Sequence, residues 1–323
     1  MNENEAGGAQ SPGKSLRFTR EAMNADFTIF VDSQDTDPEV AEGAAQAAFA
    51  LLENLEQTLS LFVHFSDVSK VNALKSGESY QLSSEGLDCL VTAAQVAADT
   101  ERAFDPSAGA LISFWKNRGA VHSNRCEEEP EWQAAWEAHR HGEFALDPDS
   151  RMIQCVVAGS KLDLGGIGKG HALDRMAALI EGDWGLSRLF LSAGGSTVLA
   201  LDPPLGREGW KLGFGGETRL PRLLLTRQAL SSSGNLFQPA HLVNPRDGHL
   251  VTRSDLVRAV AENAAKADAL STAFFIMDRE EIEKYCSASP YHAALLAACG
   301  EDGVPERFDI PRNCNPLHWD AQD

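Results

Sequence analysis

The chain is short of positive charge. Lys and Arg number 28 against 47 Asp and Glu, a net charge of −19. That deficit excludes non-specific binding to nucleic acid or to an anionic membrane, since both need a cationic face. It also sets a requirement. An acidic chain that takes a phosphate ligand needs a metal ion, a helix N-terminus or a few placed cations. Cysteine is scarce and unpatterned. Cys89, Cys126, Cys155, Cys286, Cys299 and Cys314 include no C-x-x-C pair and no neighbouring His at metal spacing. They read as buried or stray thiols in a reducing compartment, which excludes a disulfide framework or a zinc motif. No run is long and apolar enough to span a bilayer. Met1 to Lys14 is rich in Gly, Glu, Asn and Gln and lacks the basic start and apolar core of a signal peptide. The expectation is a soluble cytoplasmic protein with a disordered N-terminal tail. No internal repeat or Pro/Ser-rich linker divides the chain.

The 323 residues are 43% hydrophobic, enough for one large domain or two ordinary ones. Leu16 to Val31 reads as a strand pair bent around Met23-Asn24-Ala25. Pro38 to Leu59 reads as a helix with Val40, Ala44, Ala47, Ala48, Leu51, Leu52 and Leu55 on its apolar stripe. Asp67 to Asn72 is a short capped segment. Ser83 or Ser84 caps a helix that buries Leu87, Leu90, Val91, Ala94 and Ala98 and ends at Phe104-Asp105-Pro106-Ser107. Glu127 to His141 is a charged surface helix anchored by Trp132 and Trp136. Met152–Val157, Arg188–Leu201, Trp210–Phe214, Arg222–Leu230 and Leu256–Ala261 are strand-like, with Gly194-Gly195 and Gly215-Gly216 as turns. Helices and strands come without regular βαβ alternation, which favours α+β over a doubly wound parallel sheet.

Two segments carry chemistry. Leu162 to Ile180 reads as a strand end, a glycine-rich turn and a helix, with Gly165-Gly166-Ile167-Gly168-Lys169-Gly170-His171 at its centre. Glycines let backbone approach a ligand, and the helix start offers free N–H groups and partial positive charge, which suit a phosphate. Gly170 follows Lys169 where a Walker A loop has Ser or Thr, so this is not that motif. A tight turn packing backbone on backbone is the other reading. The second segment is Asp268-Ala269-Leu270-Ser271-Thr272. Four-residue spacing stacks a carboxylate and a hydroxyl on one helix face. Both are hard oxygen donors suited to Mg²⁺ or Ca²⁺. The plainer reading is an N-cap Asp and a Thr bonded to a backbone carbonyl. Ala273-Phe274-Phe275-Ile276-Met277 follows, so a buried helix would hold the pair still.

Further short stretches join these in one order along the chain. They are Leu59-Ser60 with Asp67-Val68-Ser69-Lys70-Val71-Asn72, Phe104-Asp105-Pro106-Ser107 with Leu111 and Trp115, and the glycine loop with Asp174. Ala193-Gly194-Gly195, Ser232-Ser233-Gly234-Asn235, His241-Leu242-Val243-Asn244-Pro245-Arg246-Asp247-Gly248 and Ala267-Asp268-Ala269-Leu270-Ser271-Thr272 complete the set. From about Met23 to about Ala297 the chain resembles the ApbE family of FAD:protein FMN transferases. The resemblance implies one large α+β domain over 16–317, related to the T-fold, with mixed, mainly antiparallel sheets flanked by helices. Tails of 1–15 and 318–323 would flank it.

It also implies a reaction. With Mg²⁺ or another divalent cation, FMN passes from FAD to a threonine or serine hydroxyl of an acceptor flavoprotein, and AMP leaves. By position, Asp268, Thr272 and the carbonyl of Gly168 would hold the metal. Lys169 would hold phosphate. His241 would activate the acceptor hydroxyl or contact the nucleotide, or else be a strand histidine satisfied by backbone. Nucleotide contacts would come from Met23, Phe104, Asp105, Pro106, Ser107, Gly165, Lys169, His171, Asp174 and His241. For Asp174 the alternative is a first-turn helix carboxylate, and for Met23 a core methionine. The same site would serve an FAD pyrophosphatase, with water as acceptor, and a flavin-binding protein of weak activity would keep the same fold. Some family positions differ: Met23-Asn24-Ala25 replaces Met-Gly-Thr, and Gly194-Gly195-Ser196 replaces Gly-Gly-Asp. The export signal or lipobox common in the family is not seen.

Overall fold

The computed structural model describes residues 15–34, 36–118, 126–142, 144–214, 222–234, 242–253, 256–299, 305–314 and 317–320. The chain begins with β1 (Ser15–Ala22), β2 (Ala25–Asp32), α1 (Pro38–Leu59), α2 (Asp67–Asn72), β3 (Ser79–Gln81) and α3 (Ser84–Asp99). Next come α4 (Gly109–Arg118), α5 (Pro130–Arg140), β4 (Phe144–Asp147), β5 (Met152–Cys155) and α6 (Gly168–Trp184). Then follow β6 (Leu189–Ala193), β7 (Thr197–Ala200), β8 (Trp210–Leu212), β9 (Leu223–Leu225) and β10 (Gln228–Gly234). The last are β11 (Leu256–Ala261), α7 (Ala264–Ile276), α8 (Arg279–Ser287), β12 (Ala293–Cys299) and β13 (Pro305–Asp309). Among the described residues these pack as two compact units. One lies within Met1–Asn54, Lys169–Ser233 and Asp255–Asp323, the other within Leu55–Gly168 and Gly234–Ser254.

The first unit is built on an eight-stranded sheet in the order β1-β2-β6-β7-β10-β11-β12-β13, with β8-β9 as a separate pair. Every pairing of described register is antiparallel. The α+β class and the mainly antiparallel sheets expected from the sequence are present. Two hairpins show why. Met23 and Asn24 both take positive φ, 50° and 58°, the twist a two-residue β1–β2 turn needs. Gly194 and Gly195, at φ 57° and 69°, turn β6 into β7. Met23 is therefore a partly exposed turn residue and not a core methionine. Phe190 packs against Phe30 and Trp210 at ring separations of 6.0 and 5.6 Å in the core of this unit. At the C-terminal end, Leu224 N donates to His318 O and Asp320 N to Arg222 O, both at 2.8 Å.

The second unit holds the sheet β3-β5-β4 and helices α2 to α5. Ser66 and Ser83 cap α2 and α3, accepting from Ser69 N and Gly86 N. Trp132 and Trp136 stack at 5.7 Å as the anchor of α5. The indole N–H groups of Trp115 and Trp132 both donate to Gly248 O, at 2.9 and 3.2 Å. Gly248 has φ 78°, and a Cβ there would sit 2.9 Å from the Trp136 ring.

Several expectations shift. The buried stripe of α1 carries Ala41, Ala45 and Phe49 beside Ala44, Ala48, Leu52 and Leu55, while Val40 is exposed. In α3 the buried face is Gly86, Cys89, Leu90, Ala93 and Val96, and Val91 faces out. That helix ends at Asp99, ahead of Phe104. Leu162–Leu164 is not strand. Cys89, Cys126, Cys155, Cys286 and Cys314 are free thiols. No helix among the described residues is long and apolar enough to cross a membrane.

Candidate functional site

Asp268 is not a cap. Asn263 caps α7, its side chain accepting from Lys266 N at 2.9 Å, and Asp268 lies a turn further in. The helix is apolar on nearly all sides, with Ala264, Ala265, Ala267, Leu270, Phe274 and Phe275 buried, so it sits inside the first unit against β11 and β7. Asp268 is only 5% exposed. A carboxylate so placed must be hydrogen-bonded.

Three donors meet it. Oδ2 accepts from the backbone N–H of Gly170 at 3.1 Å. Oδ1 accepts from Thr197 Oγ1 at 3.1 Å and from Ser231 Oγ at 3.0 Å. Thr197 and Ser231 stand directly opposite each other in the β7–β10 register, both fully buried, with their hydroxyls 2.9 Å apart. Ser271 extends the group: its hydroxyl bonds Asp268 O at 2.9 Å and Ser233 Oγ at 2.8 Å. Oδ1 thus holds two protein donors and Oδ2 one, which leaves a lone pair on Oδ2. Thr272, one turn beyond, is partly exposed, and its hydroxyl makes no hydrogen bond among the described residues. The back-bonded threonine expected as the plainer reading is absent. Ser271 takes that geometry instead.

Helix α6 supplies the other wall. Gly170 needs to be glycine, since a Cβ would lie 2.1 Å from Ala264 O. This is backbone packed on backbone, and it brings the Gly170 amide to Asp268. Asp174, one turn later on the same helix, accepts from Ala264 N at 2.7 Å and Ala265 N at 2.8 Å. It caps the start of α7 across the gap, and is not a first-turn carboxylate of its own helix. Burial pushes its carboxyl up to about 6 against the pull of those two amides, and the charges of Asp268 and Glu262 add to the rise. Lys169 is partly exposed and makes no ion pair among the described residues, whereas His171 is buried.

Met23 lies in the β1–β2 turn of the first unit, and the other remaining predicted residues lie in the second unit or outside the described residues. In the glycine turn, Gly165 N donates to Asp163 Oδ1 at 2.7 Å. Ile167 N and Gly168 N both donate to Leu164 O, at 3.1 and 2.8 Å. Those three amides are spent inside the turn. Phe104, Asp105 and Pro106 are buried, and Ser107 is partly exposed. Asp105 accepts from Ser107 N at 2.8 Å and Ser107 Oγ at 2.7 Å on one oxygen, and from Arg102 Nε at 2.7 Å on the other. His241 falls outside the described residues. Thr197, Ser231 and Ser271 were missed by sequence reasoning. The available signal was a hydroxyl in the otherwise apolar strand β7 for Thr197, and the run Ser231–Ser233 in β10.

This α+β architecture has parallels among solved structures. The flavin transferase ApbE from Vibrio cholerae matches with a TM-score of 0.74 over 94% of this chain and 98% of that one, at 17% identity. The Thermotoga maritima apbe protein matches with a TM-score of 0.75 at 24% identity, over 93% of this chain and 97% of that one. A curated relative from Klebsiella pneumoniae, an FAD:protein FMN transferase, is 22% identical over 81% of this chain and 79% of its own length. The family model for the ApbE family matches residues 23–296. The chain belongs to the ApbE family.

Proposed function

We propose that the chain is an FAD:protein FMN transferase that works with Mg²⁺ or another divalent cation. Its reaction would move FMN from FAD to a threonine or serine hydroxyl of an acceptor flavoprotein. The bond between the FMN phosphorus and the bridging oxygen breaks, a phosphoester from that phosphorus to the acceptor oxygen forms, and AMP departs with the bridging oxygen. The acceptor hydroxyl gives up its proton to a base, the role we assign to His241.

The observation that carries this reading is the state of Asp268 and Thr272. Asp268 is buried and bonded on both oxygens, yet it is neither a cap nor a partner of any cation among the described residues. Thr272 presents a hydroxyl with no hydrogen-bond partner among those residues on the same helix face. Such hard oxygen donors fit Mg²⁺. The Gly168 carbonyl, at the first residue of α6, is the third ligand the family resemblance implies. A divalent cation bound here would offset pyrophosphate charge and stabilise the anionic transition state. Gly170 N–H and the Thr197 and Ser231 hydroxyls would keep the carboxylate fixed. Lys169 would meet a phosphate oxygen, and His171 and Asp174 would border the nucleotide. Contacts at Met23, Phe104–Ser107 and Gly165 rest on the resemblance alone. The relatives' activity as FAD:protein FMN transferases supports the substrate assignment.

The test is incubation with FAD, Mg²⁺ and a threonine-bearing flavoprotein acceptor domain. The expected result is AMP release with an acceptor heavier by FMN. Free FMN with AMP and an unmodified acceptor would replace the reading with an FAD pyrophosphatase. Bound flavin without turnover would replace it with a flavin-binding protein.

A further inference from the structure

Cys126, Glu127 and His249 come together in the second unit. One donor atom from each lies within 4.8 Å of the other two. Sequence spacing hides the group, because Glu127 and His249 are 122 positions apart. Cys126 is buried just before α5, among the apolar side chains of Leu111, Trp115 and Trp132. A thiol that served that core alone would need neither an imidazole nor a carboxylate beside it.

The histidine is set as metal-binding histidines are. Its Nε2 faces Glu127 Oε1 at 3.2 Å, and its Nδ1 lies 3.7 Å from Asp247 Oδ1. Asp247 is itself fixed, accepting from His249 N at 2.9 Å and from Asn244 Nδ2 at 2.7 Å. One ring nitrogen therefore faces the cluster, and the other lies 3.7 Å from an anchored carboxylate, beyond hydrogen-bond range but near enough to support a ligating imidazole after a small turn of the ring. Trp132, 5.4 Å from the His249 ring, restricts its swing.

We propose that Cys126, Glu127 and His249 form a site for Zn²⁺ or a similar borderline-soft divalent cation. Thiolate, imidazole and carboxylate together select such an ion over Mg²⁺ or Ca²⁺. Tetrahedral zinc holds its ligand atoms roughly 3.5 Å apart, with water free to fill a fourth position. The cluster closes on the ion by a turn of the exposed Glu127 side chain. Burial holds the Cys126 thiol up, with the Glu127 and Glu129 carboxylates adding to this and Arg118 opposing it. The thiol keeps its proton until the cation takes its place, and that proton passes to solvent. The bound ion would tie the lead into α5 to the turn at Asn244–His249. The site shares no residue with the Asp268 site and does not depend on its assignment.

Cobalt(II) reads it directly, because only thiolate ligation gives an intense near-ultraviolet sulfur-to-cobalt band. The full chain is reduced, stripped with chelator and titrated with Co²⁺. The expected result is a charge-transfer band saturating at one equivalent, displaced by Zn²⁺. Cys126→Ser and His249→Gln abolish it, and Asp268→Ala retains it. Asp247→Asn weakens zinc affinity about 10-fold in a competition with a chromophoric chelator. No band from the wild-type chain overturns the proposal. So does a band that survives in Cys126→Ser, which would place the ion on another thiol.

Discussion

The backbone N–H of Gly170 donates to Asp268 Oδ2 at 3.1 Å, and this bond exists because two helix starts meet without a side chain between them. Gly170→Ala would put a Cβ 2.1 Å from Ala264 O, so α6 and α7 must separate. Overpacking of this kind costs about 1–3 kcal/mol. Urea unfolding should show that loss, and Mg²⁺ dependence should shift to higher concentration, because the amide leaves the carboxylate. A variant with wild-type stability would mean the contact is looser than its geometry.

The hydroxyls of Thr197 and Ser231 position Asp268. Thr197→Val keeps the shape and removes one hydroxyl from a charged acceptor, at a cost of about 1.5–3 kcal/mol. Ser231→Ala should cost a similar amount. The double variant should fall short of the sum, because the two hydroxyls share one oxygen and also touch each other at 2.9 Å. Strict additivity in a denaturation cycle would contradict a shared network.

Asp174 gives the pH dependence. Its carboxyl is raised in the fold from 3.8 to about 6, burial being the main cause. The folded chain therefore holds this proton more tightly than the unfolded one. The contribution is fully present below the unfolded value and is lost as pH rises through about 6. A shift of that size corresponds to roughly 3 kcal/mol at most. Asp174→Asn has no such titration. Its stability relative to wild type should improve by up to that amount between acidic and neutral pH, followed by chemical denaturation. A difference that stays flat with pH would rule out the raised carboxyl.

Some of this was legible in the sequence and some was not. The four-residue spacing of Asp268 and Thr272 and the apolar run after it mark a buried helix with one polar face. The glycine turn marks the helix start that meets it. The hydroxyl partners were not legible, because they reach Asp268 across 71 and 37 positions of sequence. The stripe of α1 was misread at Val40 because its buried face is made largely of small residues, Ala41, Ala44, Ala45 and Ala48, which carry little weight in an apolar pattern. β3 and β4, three and four residues long, are too short to show alternation. Cys126 and His249 meet only through the fold.

The central claim is that Asp268 anchors the divalent cation used in flavin transfer. The most direct measurement is the Mg²⁺ dependence of FMN transfer by Asp268→Asn, which can still accept the two hydroxyl bonds, beside Asp268→Ala. Loss of the charge stabilisation a metal supplies should lower the rate by ~1000-fold or more. Far-ultraviolet circular dichroism should show both variants folded. Folded variants that transfer FMN at the wild-type rate with the wild-type Mg²⁺ requirement would contradict the account.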